Sequence, residues 1–341
     1  MNQKYNLSYD DVLLCPQYSD IKSRSQIELQ SDLGRRLTLQ LPVFSSPMDT
    51  VSESQMAVEL SALGAAAIIH RYNTVAEQSN HLSEALRRGA TNVGVAVGVS
   101  GDFLERAICA SKTGATFICV DVAHGHHVLM KEALDVLRNA LGDLHIMAGN
   151  VATLQGVNDL ADWGADSVRC NIGGGSICST RIQTGHGIPG LQTIMDCAQT
   201  DRDVSIIADG GLRNSGDVVK ALAAGADAVM CGSLLAGTSE TPGLVIKDAH
   251  GHSWKEYRGM ASKEAQVSWR GKYSSFEGVA SRVPFRGPVR KILEDIERGV
   301  RSGFSYSGAR DLRQLQSKAQ FIIQTTSGLS ESRTHITTRK W

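Results

Sequence analysis

Short apolar runs alternate with longer amphipathic stretches along the 341 residues of this chain, and this alternation constrains the fold more than any other feature. Eight of the runs predict strands, at 41–48, 65–70, 93–99, 117–123, 145–151, 167–172, 204–209 and 228–234. Between them lie stretches with helical spacing, among them 52–64, 76–89, 128–141 and 216–225. Several helical stretches end in Gly-Ala, where a glycine is expected to end the helix.

The predicted strands are nearly continuous apolar runs, which is typical of parallel strands buried on both faces. Alternating strands and helices predict a parallel sheet. A count of about eight favours a closed (β/α)8 barrel over an open doubly wound sheet. The predicted fold class is therefore α/β, with the architecture of a TIM barrel.

The alternation breaks after the eighth strand. A long insertion, or flap, at about 238–287 lacks the regular pattern and precedes a final helix predicted near 288–303. Insertions of this length usually form lids or substrate-binding elements on the catalytic face of a barrel. Because no domain-sized linker or low-complexity tract is found, we expect a single catalytic domain over 1–341, with a C-terminal tail at about 325–341.

Composition excludes several classes of function. The 35 basic and 35 acidic side chains give a formal net charge of zero, so bulk charge predicts neither a nucleic-acid nor a membrane partner. No apolar stretch reaches membrane-spanning length, and the N-terminus has no signal-like apolar region. The seven cysteines are scattered without a C-x-x-C pair, which argues against a disulfide framework or a zinc ribbon. We therefore expect a cytoplasmic protein.

The segment from Asn171 to Arg181 carries the strongest chemical signal, because three glycines, a serine, Cys178 and Thr180 follow the sixth predicted strand directly. Glycines let backbone N–H groups approach an anion closely, since no Cβ is in the way. An electropositive rim of this kind favours a reactive thiolate. The alternative is a glycine-rich loop with an incidental buried cysteine.

Phosphate commonly binds a TIM barrel after strands seven and eight. Here the seventh predicted strand runs into Asp209-Gly210-Gly211, and the eighth runs into Gly232-Ser233. These residues suit a cradle of backbone amides. Tight turns explain each pair alone, but not why both pairs fall at the phosphate end. Cys178 follows the sixth predicted strand on the same rim, so the thiol and the phosphate site would face the same opening of the barrel.

Other polar residues at strand ends leave alternatives open. Asp209 suits either a ribose diol or the cap of the following helix. Asp121 ends the fourth predicted strand, and Asn150 near the end of the fifth is placed to orient a ring. His124 and His126 make a weak metal candidate, because no third ligand is evident.

Together with these residues, further segments show that the chain resembles the IMP dehydrogenase/GMP reductase family over nearly its whole length. The matching segments are Tyr9-Asp-Asp-Val-Leu-Leu, Ser46-Pro-Met48-Asp49-Thr-Val, Ile69-His-Arg, Ala148-Gly-Asn150-Val-Ala, Gly175-Ser-Ile-Cys178-x-Thr180-Arg, Ile207-Ala-Asp209-Gly-Gly, Gly232-Ser-Leu-Leu-Ala-Gly, Tyr257-Arg-Gly-Met260 and Glu277-Gly…Arg282-Val-Pro. The resemblance implies a (β/α)8 barrel, a purine ribonucleotide (GMP or IMP) as substrate, and a homotetramer.

The resemblance also implies residue roles. Cys178 would attack C2 of the purine to form a thioimidate, and a nicotinamide cofactor would exchange hydride with C2, so covalent catalysis divides a hard displacement into two steps. The other implied roles are the 5′-phosphate site (Ser176, Gly211, Gly232, Ser233, Tyr257), the ribose ligand (Asp209), the surroundings of the base (Met48, Met260, Glu277), further substrate-binding residues (Ser46, Gly259), the nicotinamide side (Asp121, Asn150) and a monovalent-cation site, with potassium as the ion, at the carbonyls of Gly173, Gly175 and Cys178.

Two reactions compete within this resemblance. GMP reductase uses NADPH to convert GMP to IMP and ammonia, and Thr180 and Glu277 match the residues that handle its amine and proton transfers. IMP dehydrogenase oxidises IMP to XMP with NAD and activates water with an Arg-Tyr pair on a long flap. The stretch 260–277 is shorter than such a flap and has no Arg-Tyr pair, and the paired CBS domains of many dehydrogenases are absent.

Dehydrogenase-like features are the segment that begins at Tyr257, the segment 236–243 and the tail from 331, and Arg270 is an alternative base in such an enzyme. We give the short flap more weight than these dehydrogenase-like segments, because the flap carries the step that separates the two reactions. The sequence therefore favours GMP reductase, with IMP dehydrogenase and a non-catalytic purine-nucleotide-binding barrel as alternatives.

The catalytic loop departs from the family pattern. Members usually carry Lys-Val-Gly-x-Gly-Pro-Gly ahead of the serine, whereas this chain has Asn171 in place of a glycine and Gly174 in place of the proline. A loop of different shape is expected, with altered cation binding or a changed substrate, such as a deoxynucleotide or a modified purine, as possible consequences.

Overall fold

The computed structural model describes residues 6–273, 276–332 and 334. Their strands are β1 (Val12–Leu14), β2 (Ser31–Asp32), β3 (Thr38–Leu39), β4 (Val43–Ser45), β5 (Ala66–Ile69), β6 (Val93–Val97), β7 (Phe117–Asp121), β8 (His145–Val151), β9 (Ser167–Cys170), β10 (Ser205–Asp209), β11 (Ala228–Cys231), β12 (Ile246–Lys247), β13 (Ser253–Arg258), β14 (Ala280–Pro284) and β15 (Phe321–Ile323).

The helices surround these strands. They are α1 (Ser54–Ala62), α2 (Val75–Arg87), α3 (Phe103–Thr113), α4 (Val128–Leu141), α5 (Leu154–Asp162), α6 (Thr180–Thr184), α7 (Gly190–Cys197), α8 (Ser215–Ala223), α9 (Lys263–Arg270), α10 (Val289–Tyr306), α11 (Leu312–Lys318) and α12 (Thr326–Glu331). Short 3-10 turns also form at Tyr9–Asp11 and Arg24–Gln26. Within these described ranges, no helix combines the length and apolarity that a bilayer crossing requires.

Eight parallel strands close into a barrel in the order β10-β11-β4-β5-β6-β7-β8-β9. Each strand of the ring lies within one of the eight runs predicted from the sequence, so the prediction of a closed (β/α)8 barrel is confirmed. Burial explains why each strand is a continuous apolar run in the sequence. All five residues of β6, for example, are buried, because the strand lies between the packed interior and a layer of helices.

The barrel interior is filled by large side chains opposed by small ones. Phe44 and Phe117 meet edge to face with ring centroids 5.6 Å apart. Gly94 on β6 leaves room for the second ring, since a Cβ there would lie 2.3 Å from a ring carbon of Phe117. The hairpin of β2 and β3 adds Leu33 and Leu37 to this interior cluster. These leucines precede the first barrel strand and close the end of the barrel opposite the strand C-termini.

The predicted helices are confirmed within a few residues at each end, and 128–141 coincides with α4. The Gly-Ala steps act as predicted, since Gly64, Gly89 and Gly114 follow helices and adopt a positive φ that an L-residue rarely takes. α2 begins with a capping box between Thr74 and Glu77. These local signals set where each helix stops and the next strand enters the barrel.

The stretch 238–287 lacks the βα alternation because it forms a separate antiparallel sheet. β12, β13 and β14 pair in that order, and α9 stands between β13 and β14. α10 then follows where a helix near 288–303 was predicted, but it is not the final helix, because α11 and α12 come after it. The two ends of the chain meet where β1 pairs with β15. The predicted tail 325–341 includes α12, whereas 333 and 335–341 lie outside the described residues.

Candidate active site

The C-terminal ends of the barrel strands surround a cavity of about 330 Å³. Every site residue predicted from the sequence lines it: Ser46, Met48, Asp121, Asn150, Gly173, Gly175, Ser176, Cys178, Thr180, Asp209, Gly211, Gly232, Ser233, Tyr257, Gly259, Met260 and Glu277. Parallel strands deliver their ends to one rim, which is why residues up to 231 positions apart converge here. The volume lies at the lower end of the range of small-molecule sites.

Three side chains form a continuous hydrogen-bonded chain in this cavity. Thr180 Oγ1 donates to Glu277 Oε2 over 2.7 Å. The sulfur of Cys178 lies 3.1 Å from Thr180 Oγ1. Because the hydroxyl proton of Thr180 points to the carboxylate, the thiol of Cys178 is the donor in the second contact. The arrangement can pass a proton from the thiol to the carboxylate through one hydroxyl.

Backbone contacts hold this chain together across 97 positions of sequence. Ser179 N donates to Glu277 O over 2.9 Å, and Val279 N donates to Ile177 O over 3.0 Å. Cys178 and Gly278 also form an isolated antiparallel bridge. Backbone hydrogen bonds therefore hold the Cys178 loop against the end of the 238–287 insertion.

A buried guanidinium lies beneath the cavity. Arg169, with a side chain only 7% exposed, donates to Asp121 Oδ1 over 2.6 Å and to Asp209 Oδ2 over 2.8 and 3.1 Å. Asn150 Nδ2 adds a bond to Asp209 Oδ2 of 2.7 Å. Burial alone would raise the pKa of Asp121, but Arg169 and Arg71 outweigh it and hold that pKa below its usual range. Asp121 is therefore a carboxylate at neutral pH.

These bonds orient Asp209. The three hydrogen bonds that Asn150 and Arg169 donate to its carboxylate all end at Oδ2, and Oδ1 takes no part in them. The alternative role of this residue, as a helix cap, is wrong, because Asn214 caps α8 through a 2.9 Å bond from Asp217 N. Asp209 is thus fixed at the rim with an oxygen available for a ligand.

Glycines that follow two neighbouring strands, β9 and β10, meet beside Asp209. Gly210 and Gly211 both have positive φ, of 80° and 76°. A Cβ on Gly211 would lie 3.1 Å from Gly174 O, and a Cβ on Gly210 would lie 3.6 Å from the Cα of Gly175. The turn after β10 therefore packs directly on the Cys178 loop, as close backbone approach to an anion requires.

The turn after β11 completes this side. A Cβ on Gly232 would lie 2.9 Å from Tyr257 Oη and 3.3 Å from Ser46 Oγ. Burial raises the pKa of Tyr257 to about 12, so its phenol stays protonated and can donate to an anion. Hydroxyl and amide donors are thus concentrated at the predicted phosphate site.

Met48 and Met260 both line the cavity, and Met260 belongs to the 238–287 insertion. Met260 Sδ accepts a 3.3 Å hydrogen bond from Asp49 N, and Asp49 is ion-paired with Arg258 at 2.5 Å. By contrast, Arg270 is exposed at the end of α9 and is not among the cavity-lining residues. Its alternative role as a base that activates water has no geometric support.

Four lining residues with large polar side chains had received no role from the sequence. Asn171 was noted only as a departure from a family motif, Arg169 stands inside β9, and Arg71 and Tyr72 follow β5. A charged residue inside an apolar strand was the available signal for Arg169, because such a residue needs partners when buried. Tyr72 stacks on Trp269 of α9, with centroids 6.2 Å apart, and no sequence pattern indicates that long-range contact.

The histidine pair does not form a metal centre. His126 Nε2 lies 2.7 Å from Asp159 Oδ2, a partner on α5. Nowhere in the described part of the chain do three His, Cys, Asp or Glu side chains gather as a metal site. All seven cysteines are free, in agreement with the expectation from their spacing.

The loop proposed to bind a cation already has internal partners. Gly175 O accepts from Cys178 N over 3.1 Å. Arg181 packs against Gly173 and donates to Ile172 O and Ile188 O. A carbonyl can accept twice, so the bond from Cys178 N leaves Gly175 O able to face a monovalent ion as well.

Comparison with known proteins adds an independent observation. The sequence matches the IMP dehydrogenase / GMP reductase domain over residues 6–335. The chain belongs to this family. It is 38% identical over 335 residues to a GMP reductase of Vibrio cholerae, covering 94% of this chain and 96% of that protein. It is also 34% identical over 475 aligned residues to the inosine-5′-monophosphate dehydrogenase of Nitrosopumilus maritimus, covering 98% and 99%.

A solved structure agrees with the family assignment. GMP reductase from Trypanosoma brucei, in a variant complexed with guanosine 5′-monophosphate, superposes with a TM-score of 0.93 at 29% identity, covering 98% of this chain and 99% of that one. The family comprises oxidoreductases of purine nucleotides. Its two named activities both occur among the relatives, so the choice between them depends on the site.

Proposed function

We propose that this protein is a GMP reductase, which converts GMP to IMP and ammonia with NADPH. The observation that carries the proposal is the chain from Cys178 through Thr180 to Glu277 inside the cavity. In the reductive reaction these residues perform the proton transfers, and no activated water is needed. The exposed position of Arg270 supports this choice over a dehydrogenase, which must activate water.

The first step uses this chain as a relay. The proton of the Cys178 thiol moves to Thr180 Oγ1 as the hydroxyl proton moves to Glu277, which leaves a thiolate and a carboxylic acid. The sulfur then attacks C2 of the purine, and the acid returns its proton to the amino group, which leaves as ammonia. The result is a thioimidate at Cys178. Addition of hydride to C2 and loss of the sulfur then yield IMP.

The rest of the cavity orients the nucleotide for this attack. Ser176, Gly211, Gly232, Ser233 and Tyr257 are proposed to hold the 5′-phosphate through hydroxyl and amide donors. Asp209 is proposed to accept from the ribose hydroxyls through its Oδ1. Ser46, Met48, Gly259 and Met260 are proposed to surround the base. Orientation of this kind accounts for a large part of the rate enhancement of a bimolecular reaction.

The opposite side of the mouth fits a nicotinamide. β7, which carries Asp121, stands four strands away from β11 in the ring of eight, so Asp121 lies across the mouth from Gly232. Asp121, Asn150 and Arg71 offer carboxylate, amide and guanidinium groups there, beside the ring of Tyr72. When bound, the reduced cofactor supplies the hydride. The chain's own residues hold its carboxamide and exclude water.

The experiment that tests the proposal compares two reactions. Purified protein is mixed with GMP and NADPH, and separately with IMP and NAD, while the nicotinamide absorbance is followed. We expect oxidation of NADPH with GMP and release of ammonia in equal amount. Reduction of NAD with IMP and no reaction with GMP would assign the dehydrogenase instead. Nucleotide binding without either reaction would assign the non-catalytic barrel.

Variants test the relay itself. Cys178→Ala is expected to abolish turnover but to leave GMP affinity within about tenfold, because phosphate and ribose contacts dominate binding. Glu277→Gln keeps the shape of the chain but removes its base, so kcat should fall by about 10²-fold or more with little change in KM. Cys109→Ala, at a half-buried thiol outside the cavity, is the matched control and should behave as wild type. Loss of binding in Cys178→Ala would indicate a structural thiol.

We further propose a homotetramer in the cytoplasm, with potassium at the carbonyls of Gly173, Gly175 and Cys178. Exposed apolar side chains on segments after β9 and β11, among them Ile182 and Leu244, support association. Sedimentation gives the oligomeric state directly. Activity measured in potassium against sodium and tetramethylammonium chloride at equal ionic strength tests the cation.

A further inference from the structure

Asn171 is the first residue after β9 and the start of the loop that carries Cys178. It is only 5% exposed and is held at three atoms. Its N donates to Val151 O over 2.9 Å, its O accepts from Asn150 Nδ2 over 3.1 Å, and its Nδ2 donates to Asp209 O over 2.8 Å. The side-chain amide therefore links the beginning of the thiol loop to the end of β10.

The same amide occupies the space of a side chain at position 174. A Cβ on Gly174 would lie 2.3 Å from Asn171 Nδ2 and 2.6 Å from its Oδ1, both well inside van der Waals contact. Gly174 does not adopt the left-handed backbone of its neighbour Gly173, whose φ is 79°. Glycine at 174 is therefore required by the amide of Asn171 and not by the local backbone conformation.

The cost of this arrangement is visible in the hydrogen bonding. Asn171 Oδ1 is buried and has no hydrogen-bond partner among the described residues. An unpaired buried acceptor is destabilising, so the amide at this position needs a compensating contribution. That contribution is the anchoring of Asp209, whose carbonyl receives the Nδ2 bond and whose carboxylate faces the same cavity.

We propose that Asn171 is a positioning residue for catalysis, acting as a strut on which the loop 173–178 rests and which sets the separation between Cys178 and Asp209. Gly174 is the matching half of the pair. The inference rests on the proposed function in one respect, that a nucleotide contacts both residues. It predicts that substitutions at 171 and 174 are strongly non-additive, because the effect of an alanine at 174 depends on whether the amide of Asn171 is present.

The test is a double-mutant cycle of wild type, Gly174→Ala, Asn171→Ala and Asn171→Ala/Gly174→Ala. Three quantities are measured: GMP affinity by calorimetry, the alkylation rate of Cys178 by iodoacetamide from the mass of its peptide, and kcat and KM with the nucleotide that the protein turns over. The first two need no turnover, so they report on Asn171 even where the reductase assignment fails.

We expect Gly174→Ala to lower kcat/KM by about tenfold or more and to change Cys178 alkylation, because a displacement near 1 Å is costly at a reacting centre. In the Asn171→Ala background the same alanine should have little effect, so the double variant should match Asn171→Ala within about twofold. Gly174→Ala that behaves as wild type would overturn the proposal. So would effects that simply multiply, because glycine would then be needed for another reason.

Discussion

Replacing Arg169 with methionine tests the most consequential feature of the site. The guanidinium is buried between Asp121 and Asp209, and the bonds are 2.6 to 3.1 Å long. Methionine keeps an unbranched chain of similar volume but leaves two buried carboxylates without their shared counter-charge. Removal of one partner from a buried ion pair costs about 3–5 kcal/mol, so we expect a loss of that order at pH 7.

The pH dependence separates charge from packing. In the wild type the folded-state pKa of Asp121 is lowered, so its contribution is present above the unfolded pKa of about 4 and is lost as pH falls. In Arg169→Met, only Arg71 still opposes the effect of burial, so the pKa of Asp121 rises relative to the wild type. The carboxylate then destabilises the folded state at neutral pH, and protonation relieves it. The deficit of the variant should therefore shrink between pH 7 and pH 5.

Urea unfolding followed by tryptophan fluorescence gives the free energy of unfolding at both pH values. Arg202→Met, at an ion pair with Asp162 that is 39% and 51% exposed, is the matched control and should cost about 1 kcal/mol or less. The reasoning is refuted if Arg169→Met costs no more than Arg202→Met at pH 7. A large deficit that is equal at pH 7 and pH 5 would also refute it, since packing and not charge would then be responsible.

Two further predictions concern the barrel. Burial lowers the pKa of His145 to about 4, with the neutral ring bonded to Ser167 Oγ at 2.8 Å, so the unfolded chain binds a proton first as pH falls. Relative to His145→Gln, the wild type should lose about 3 kcal/mol of stability between pH 6.5 and 4, and a constant difference in urea titrations would contradict this. Gly94→Ala would overlap the ring of Phe117 and should cost about 1–3 kcal/mol. Phe117→Leu in the Gly94→Ala background should recover part of that loss in thermal unfolding, and no recovery would argue against a steric cause.

The barrel was predictable because its information is local. Each strand is an apolar run buried on both faces, and each connection carries its own cap or glycine, as at Thr74 and Gly89. The positions of Cys178 and Asp209 on one rim then followed from topology, since parallel strands end together. The closure of one barrel end by Leu33 and Leu37 was not predictable, because nothing in the sequence of a short hairpin indicates which end of a barrel it covers.

The polar layer under the cavity could not be predicted for a related reason. Asp121, Asn150, Arg169 and Asp209 stand at the ends of β7, β8, β9 and β10, four neighbours in the closed ring. Their partnerships depend on the register between strands, and a shift of one residue would turn each side chain to the other face. The sequence identified three of the four as polar strand ends, but only the register shows that Arg169 neutralises two of them.

This layer also determines how an anionic ligand can enter. A phosphate placed beside Asp121 or Asp209 would face a carboxylate. The positive charge of Arg169 would not attract it strongly, because that guanidinium is already paired with both carboxylates. The β11 side offers the protonated phenol of Tyr257, whose oxygen lies beside Gly232, and no carboxylate is among the predicted phosphate ligands there. These charges support the proposed binding mode, in which the nucleotide phosphate lies on the β11 side, the ribose toward Asp209 and the base over the Cys178 loop. In the proposed reaction, the electrostatics of the rim would therefore favour the orientation needed for attack by the sulfur before any contact with the base is made.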